Sequence, residues 1–282
     1  MLATRVITAV VAMAVLLAMV FLAPPAGWAA FMLAVALVSS WEWSRIAALA
    51  PAAAYAFLAL SAATGIALWL YYVYAAAAAF AQLALVAFGI AAVFWIAVAP
   101  FWLVRHLRPG PEARAVAGWI VVWPTWIACV VLREAGPWLL LAVAAVVWIA
   151  DIAAYFAGRR FGRRKLAPRI SPGKTWEGVY GALAGVAVYG VVLAAIAHGQ
   201  GAPFTGVFRA GAGIPAIVAM LALALLSVVG DLFESWMKRG AGMKDSSGLL
   251  PGHGGMLDRI DALTATLPVA ALVLALLHLG RP

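Results

Sequence analysis

Long apolar runs constrain this chain more than any other feature. The hydrocarbon core of a bilayer is about 30 Å thick, and a helix needs roughly 20 apolar residues to cross it. Of the 282 residues, 67% are hydrophobic and only 10% are charged, whereas soluble domains carry about 25% charged residues. The sequence therefore predicts an all-α polytopic membrane protein with no separate soluble domain.

The apolar runs and the polar residues between them predict about nine transmembrane helices. We expect these helices near residues 6–23, 27–45, 53–72, 77–104, 116–132, 137–157, 177–197, 213–236 and 262–279. The first two are short and lie close together, so they could form a hairpin that does not fully cross the bilayer. Arg5 before an apolar run imitates a secretory signal, but Pro24-Pro25 is a poor cleavage context and favours a retained helix.

The basic residues are distributed unevenly between the two sides of the membrane. In the nine-span arrangement all Lys and Arg residues except Arg133, Arg209 and Arg281 fall on the side of the membrane where the N-terminus lies. Because cytoplasmic loops are rich in Lys and Arg, we expect this to be the cytoplasmic side of the cell membrane. The Lys and Arg residues that give the net charge of +9 would then lie against anionic membrane lipids. No basic domain with interleaved aromatic residues indicates nucleic-acid binding.

The acidic residues are concentrated in the second half of the chain. Residues 1–150 contain three of them, and residues 151–282 contain seven. We therefore expect residues 1–135 to be a scaffold of transmembrane helices and residues 136–282 to form the catalytic region. The single cysteine, Cys129, lies in an apolar run, which indicates burial and excludes an intramolecular disulfide.

Asp151 lies within or at the end of an apolar helix. A carboxylate there is costly unless it is paired, bound to a metal or hydrated. Two interpretations stay open: a structural ion pair with a nearby arginine, or a side chain that lines a site.

A basic loop follows and leads into Ser171-Pro-Gly-Lys174-Thr175-Trp-Glu177-Gly. Its Gly-Lys-Thr imitates the end of a phosphate-binding P-loop, but Pro168 replaces the earlier glycine and we expect no preceding strand. A P-loop is therefore excluded. Ser171 or Thr175 can still cap the next helix and leave its N–H groups and Lys174 directed at an anion.

Asp231, Ser235 and Lys238 follow i, i+4, i+7 spacing and share one face of a predicted helix. Glu234 can pair with Lys238 one turn later. A purely structural stripe of salt bridges would show the same spacing.

Asp258 and Asp261 are three residues apart at the start of the last span. On one helical face their Cβ atoms would be about 5–6 Å apart, a distance that a divalent cation can bridge. Alternatively, acids in a first turn simply stabilise the helix N-terminus. Glycines on both sides of His253 permit close backbone approach to a ligand or left-handed turns. His253 itself could donate to a phosphate or be an ordinary loop histidine.

These residue types suit phosphoryl or nucleotidyl transfer. Such reactions use Mg²⁺ held by one or two carboxylates plus substrate oxygens, together with cations that balance the developing charge. Since a substrate phosphate can attack directly, no protein nucleophile is required.

The order of polar residues from Ser235 to Asp261 resembles the signature of phosphatidate cytidylyltransferases, also called CDP-diacylglycerol synthases. The segments 150–158 and 171–178 are similar to a second block of that family. The resemblance implies that phosphatidate attacks the α-phosphorus of CTP, giving CDP-diacylglycerol and pyrophosphate with Mg²⁺ required. It also implies a homodimer with a polar cavity open to the cytoplasm.

By matched position, the resemblance implies a metal site formed by Asp231, Asp258 and Asp261, where K⁺ could accompany Mg²⁺. These three and Lys238 are the expected catalytic residues. The expected substrate-binding residues are Asp151, Ser171, Lys174, Glu177, Ser235, Arg239, Lys244, Asp245, His253 and Arg259.

Two other classes of membrane protein also place acids in membrane helices. A CDP-alcohol phosphotransferase would carry Asp-Gly-x₂-Ala-Arg-x₈-Gly-x₃-Asp-x₃-Asp, which is absent from this sequence. A cation or proton transporter needs intramembrane carboxylates, but it does not need so many Lys, Arg and Gly residues around them.

Overall fold

The structure is a computed structural model that describes residues 2–198 and 213–279. Its helices are α1 (Leu2–Leu22), α2 (Pro25–Ile46), α3 (Pro51–Tyr74), α4 (Ala77–Val93), α5 (Ala99–Val104), α6 (Pro111–Ala135), α7 (Pro137–Phe161), α8 (Trp176–His198), α9 (Gly213–Gly240) and α10 (Leu257–Leu279). A π-helical turn, Phe94–Val98, joins α4 to α5. Several helices begin at a proline, whose fixed φ suits the first turn and whose missing N–H is not needed there.

Seven segments of the described chain are long and apolar enough to cross a membrane. They are Pro51–Tyr74, Ala77–Val104, Pro111–Ala135, Pro137–Phe161, Trp176–Ala197, Gly213–Gly240 and Leu257–Leu277. These segments confirm an all-α polytopic fold and match the third to ninth predicted spans. A shorter apolar stretch, Val6–Leu22, lies in α1, so the count of nine stays a prediction. Membrane orientation also stays a prediction, and Arg209 and Arg281 lie outside the described residues.

Helix α6 is the most buried of the seven segments, and α2 and α10 pack against it. The indole N–H of Trp28 on α2 donates to the carbonyl of Cys129 at 3.0 Å. In return, the indole of Trp126 on α6 donates to the carbonyl of Ala29 at 3.1 Å. Since buried indoles need an acceptor, these bonds fix α2 along α6, and Cys129 is buried as expected.

Small residues bring the site-bearing helices together. A Cβ added to Gly181 on α8 would lie 2.3 Å from the Cβ of Ala157 on α7. On α9, a Cβ at Gly230 would lie 3.0 Å from the carbonyl oxygen of Asp261. Small side chains permit such close backbone approach between membrane helices. Gly230 therefore places the following residue, Asp231, beside the first turns of α10.

A two-stranded antiparallel hairpin connects α7 to α8, formed by β1 (Lys165–Ala167) and β2 (Ser171–Thr175). The expectation that no strand precedes Lys174 was therefore wrong. A three-residue strand is too short to show an alternating apolar pattern. The P-loop is still excluded, because Gly173, Lys174 and Thr175 lie in β2 itself rather than in a loop after a strand.

Candidate active site

Three acidic residues and one lysine from four elements converge at one place, which we call the acidic centre: Asp151 on α7, Lys174 on β2, Asp231 on α9 and Asp261 on α10. Lys174 Nζ lies 2.5 Å from Asp231 Oδ2. Asp151 interacts electrostatically with Asp231 and Lys174, and so does Asp261. Lys174 is thus in contact with Asp231 and within electrostatic reach of the other two carboxylates.

One hydrogen bond orients the acidic centre, and part of the centre is exposed. The hydroxyl of Ser235 donates to Asp231 Oδ1 at 3.3 Å, which confirms that these two residues share a helical face. The side chains of Lys174 and Asp231 are 25% and 28% exposed, so a substrate can reach them. In the described part of the chain no arginine is within salt-bridge distance of Asp151, and the structural ion pair considered for it is not formed.

A second group of charges lies deeper, and we call Glu234, Lys238 and Asp258 the buried charge cluster. Lys238 Nζ lies 2.9 Å from Glu234 Oε2, as the i, i+4 spacing predicted, and it also contacts Asp258 Oδ1. The Lys238 side chain is only 9% exposed, and the two carboxylates are less exposed still. Lys238 is therefore engaged by protein carboxylates on two sides.

The other oxygen of Asp258 is also occupied. Asp258 Oδ2 accepts hydrogen bonds from the amides of Ser246 at 2.9 Å and Gly255 at 2.8 Å. The Ser246 hydroxyl lies 3.1 Å from the same oxygen. Among residues 2–198 and 213–279, no group of three or more His, Cys, Asp or Glu side chains is arranged to hold a metal ion. The site of Asp231, Asp258 and Asp261 stays a prediction.

The hairpin is held to α8 by two polar side chains. Thr175 Oγ1 accepts the amide of Gly178 at 3.2 Å, so Thr175 is the helix cap, whereas Ser171 pairs with Ala167 in the hairpin. The Glu177 carboxylate accepts the amides of Arg163 at 3.0 Å and Arg164 at 3.2 Å. Glu177 thus holds the turn at Arg163 and Arg164, just before β1, against the start of α8.

The segment between α9 and α10 and the adjoining ends of these helices carry the remaining predicted residues. Gly252 and Gly254 have φ of 77° and 83°, which confirms the left-handed turns beside His253. His253 Nδ1 is buried without a hydrogen-bond partner in the described structure. The other predicted residues here are exposed: Arg239, Lys244, Asp245 and Arg259.

Glu42 on α2 was not among the predicted site residues. This side chain is fully buried, and its carboxylate accepts four hydrogen bonds from the loop before α10 and the start of that helix. The donors are Ser246 Oγ at 3.0 Å, Ser247 Oγ at 2.5 Å, the amide of Met256 at 2.8 Å and the amide of Leu257 at 2.7 Å.

A signal for Glu42 was present in the sequence. It is a single carboxylate in an otherwise apolar run, and such a group must find donors in a membrane protein. The same argument drew attention to Asp151. For Glu42, however, the donors lie more than 200 residues away in the sequence, and local spacing cannot reveal them.

Comparison with known proteins identifies the family of this chain. The family model of the "Cytidylyltransferase family" matches residues 3–277. The chain belongs to the cytidylyltransferase family. It is 40% identical to a phosphatidate cytidylyltransferase of Pseudomonas aeruginosa across the full length of both chains. It is 38% identical to that of Haemophilus influenzae over 95% of this chain and 96% of the relative. The acidic centre and the buried charge cluster are therefore parts of a cytidylyltransferase, in agreement with the resemblance found in the sequence.

Proposed function

We propose that this chain is an integral-membrane phosphatidate cytidylyltransferase that makes CDP-diacylglycerol and pyrophosphate from CTP and phosphatidate. The observation that carries the proposal is the acidic centre, where Asp151, Asp231 and Asp261 share the single cation Lys174. The full-length relatives named phosphatidate cytidylyltransferase support the choice of substrates.

The acidic centre suits Mg²⁺. In phosphoryl-transfer sites Mg²⁺ is held by one or two carboxylates, with substrate phosphates and waters as the other ligands. Asp231 and Asp261 would hold the ion, because the carboxylates here outnumber the cations. Asp258 suits this role less well, since its side chain is only 6% exposed, whereas that of Asp231 is 28% exposed. When bound, Mg²⁺ would neutralise charge on the phosphate oxygens. K⁺ as a second cation stays a prediction.

The proposed reaction is a direct displacement. An anionic phosphate oxygen of phosphatidate forms a bond to the α-phosphorus of CTP, and the bond to the pyrophosphate oxygen breaks with its electron pair. Lys174 is exposed enough to exchange its contact with Asp231 for a substrate phosphate and so balance negative charge. Ser235 keeps the Asp231 carboxylate oriented during this exchange.

A cavity of about 420 Å³ beside the hairpin suits the lipid substrate. Its walls include the apolar residues Leu166, Ile170 and Leu232, while Arg169 and His106 add polar groups that suit a phosphate. Leu232 directly follows Asp231 on α9, so the cavity and the acidic centre include neighbouring residues of that helix. This arrangement would let the acyl chains stay in apolar surroundings while the phosphate approaches Lys174.

The proposal is tested with purified protein in lipid nanodiscs, supplied with labelled CTP, phosphatidate and Mg²⁺. We expect CDP-diacylglycerol and pyrophosphate in equal amounts, and a strong fall of both in Asp261→Asn at the same Mg²⁺ concentration. The exposed Glu112 gives a matched control, Glu112→Gln, which should keep full activity. Absence of product with the unmutated chain would reject the function. A covalent CMP adduct, or exchange of pyrophosphate into CTP without phosphatidate, would reject direct attack.

We also propose a homodimer, which the resemblance implies. Native mass spectrometry of the nanodisc-released protein should give twice the chain mass of 29.4 kDa. A monomer that retains full activity would refute this part of the proposal.

A further inference from the structure

Glu42 joins the first half of the chain to the start of α10. The amides of Met256 and Leu257 lie where the early N–H groups of a helix have no partner inside the helix. The carboxylate of Glu42 accepts both, at 2.8 Å and 2.7 Å. A negative charge at this position is further stabilised by the helix dipole. Glu42 therefore fixes where α10 begins, one residue before Asp258.

Ser246 connects Glu42 to Asp258. Its hydroxyl lies 3.0 Å from Glu42 Oε2 and 3.1 Å from Asp258 Oδ2. A hydroxyl has a single proton to donate, so the two carboxylates share it. Space is tight around this contact, because a Cβ at Gly255 would lie 2.0 Å from Ser246 Oγ and 2.3 Å from Glu42 Oε1. A small change at Glu42 is thus transmitted to Asp258.

Asp258 in turn holds the ammonium of Lys238, which also contacts Glu234. Asp258 lies three residues before Asp261 of the acidic centre, on the same helix. A series of polar contacts thus runs from α2 to the first turn of the helix that carries Asp261.

We propose that Glu42 is a positioning residue for cytidylyl transfer, acting through Ser246 on Asp258 and Lys238. This inference rests on the proposed function. It assigns to the N-terminal half of the chain a direct part in the geometry of the active site. Glu42 touches no substrate and takes no part in bond making.

The first test is Glu42→Gln, which keeps size and shape. One carboxylate oxygen becomes an NH₂ group that must face a backbone N–H, either of Met256 or of Leu257. Because a buried donor then loses its acceptor, we expect kcat to fall on the order of tenfold. The KM for CTP should change by less than about twofold, because the substrate contacts themselves are kept.

Two serines give a matched pair for the route through Ser246. Ser246→Ala removes the hydroxyl that both carboxylates share, and kcat should fall. Ser247→Ala also removes a hydroxyl that donates to Glu42, but in the described structure only the Ser246 hydroxyl reaches Asp258 as well, so kcat should fall less than in Ser246→Ala. The double variant Glu42→Gln with Ser246→Ala should be no slower than the slower single variant, since residues acting through one route are not additive.

Amide hydrogen exchange gives a measurement that does not depend on the reaction. In substrate-free protein, Met256 and Leu257 should exchange faster in Glu42→Gln than in the unmutated chain. Unchanged exchange, equal losses of kcat in the two serine variants, or faster exchange with unchanged kcat would each overturn the positioning role. If Glu42→Gln does not fold, the serine pair alone decides the question. A lack of product in the unmutated chain would instead reject the proposed function.

Discussion

Replacing Lys238 by methionine should destabilise this protein far more than replacing Lys174 by methionine. Lys238 is 9% exposed and contacts two buried carboxylates, whereas Lys174 is 25% exposed and contacts one carboxylate that is 28% exposed. Removing one partner of a buried ion pair costs about 3–5 kcal/mol, because the remaining charge is left without compensation. For a solvent-accessible pair the cost is about 0–1 kcal/mol.

These free energies translate into a measurable difference in thermal stability. For chains above about 150 residues, 1 kcal/mol shifts the unfolding midpoint by about 2–4 °C. We therefore expect Lys238→Met to lower the apparent midpoint by on the order of 10 °C and Lys174→Met by less than about 4 °C. Tryptophan fluorescence can follow unfolding in detergent micelles, since the chain has 13 tryptophans. All variants must be heated at the same rate, because unfolding of membrane proteins is commonly irreversible.

Activity should follow the opposite order at temperatures where both variants stay folded. Lys174→Met should lower the rate of CDP-diacylglycerol formation by on the order of 100-fold, because an accessible cation no longer balances phosphate charge. A Lys238→Met midpoint within about 2 °C of the unmutated protein would refute the reasoning on buried charge. So would a double variant, Lys238→Met with Asp258→Asn, that is no more stable than Lys238→Met, since the second change removes an uncompensated carboxylate.

Three further predictions concern other contacts of the site. Asp261→Asn should raise the Mg²⁺ concentration needed for half-maximal activity, whereas Asp258→Asn should lower kcat and the thermal midpoint without changing that Mg²⁺ concentration; equal Mg²⁺ titrations would contradict this division. Gly185→Leu should lower the thermal midpoint, since a Cβ at Gly185 would already lie 2.8 Å from the Cβ of Ala153 and overpacking costs about 1–3 kcal/mol. The control is Gly89→Leu, where no atom lies within 4 Å of the added Cβ. This control should match the unmutated protein. Glu177→Gln should speed tryptic cleavage after Arg164 by releasing the turn that Glu177 holds, and unchanged cleavage would show that the turn is held otherwise.

Local spacing in the sequence predicted the contacts that lie within one helix. The pair Glu234 and Lys238 and the shared face of Asp231 and Ser235 are confirmed, and of the two candidate caps, Ser171 and Thr175, the structure shows Thr175. Each depends only on helix geometry over three or four residues. The apolar runs likewise predicted the helical membrane fold, because run length alone decides whether a helix can span a bilayer.

Contacts between distant segments could not be predicted in this way. Asp258 and Asp261 have the spacing of a shared helical face, yet the loop before α10 folds over Asp258 and gives its carboxylate two backbone amides. Glu42 depends on donors from the same loop. The hairpin at Lys174 was missed because its first strand has only three residues, too few for any period to be visible.

The two charge groups differ in what compensates them. A charge inside a membrane protein persists only when other groups of the protein, water or a ligand compensate it. In the buried charge cluster, Lys238 lies between two carboxylates, and Asp258 accepts backbone amides besides. In the acidic centre, Lys174 contacts Asp231 and is within electrostatic reach of Asp151 and Asp261. Its contact with Asp231 is accessible to solvent. Among residues 2–198 and 213–279, Lys174 is the only cation within salt-bridge distance of these carboxylates, and we propose that a divalent cation arriving with the triphosphate of CTP balances the remaining negative charge. The deep cluster thus holds α9 and α10 together, and the incompletely compensated centre beside it is where we place the transfer.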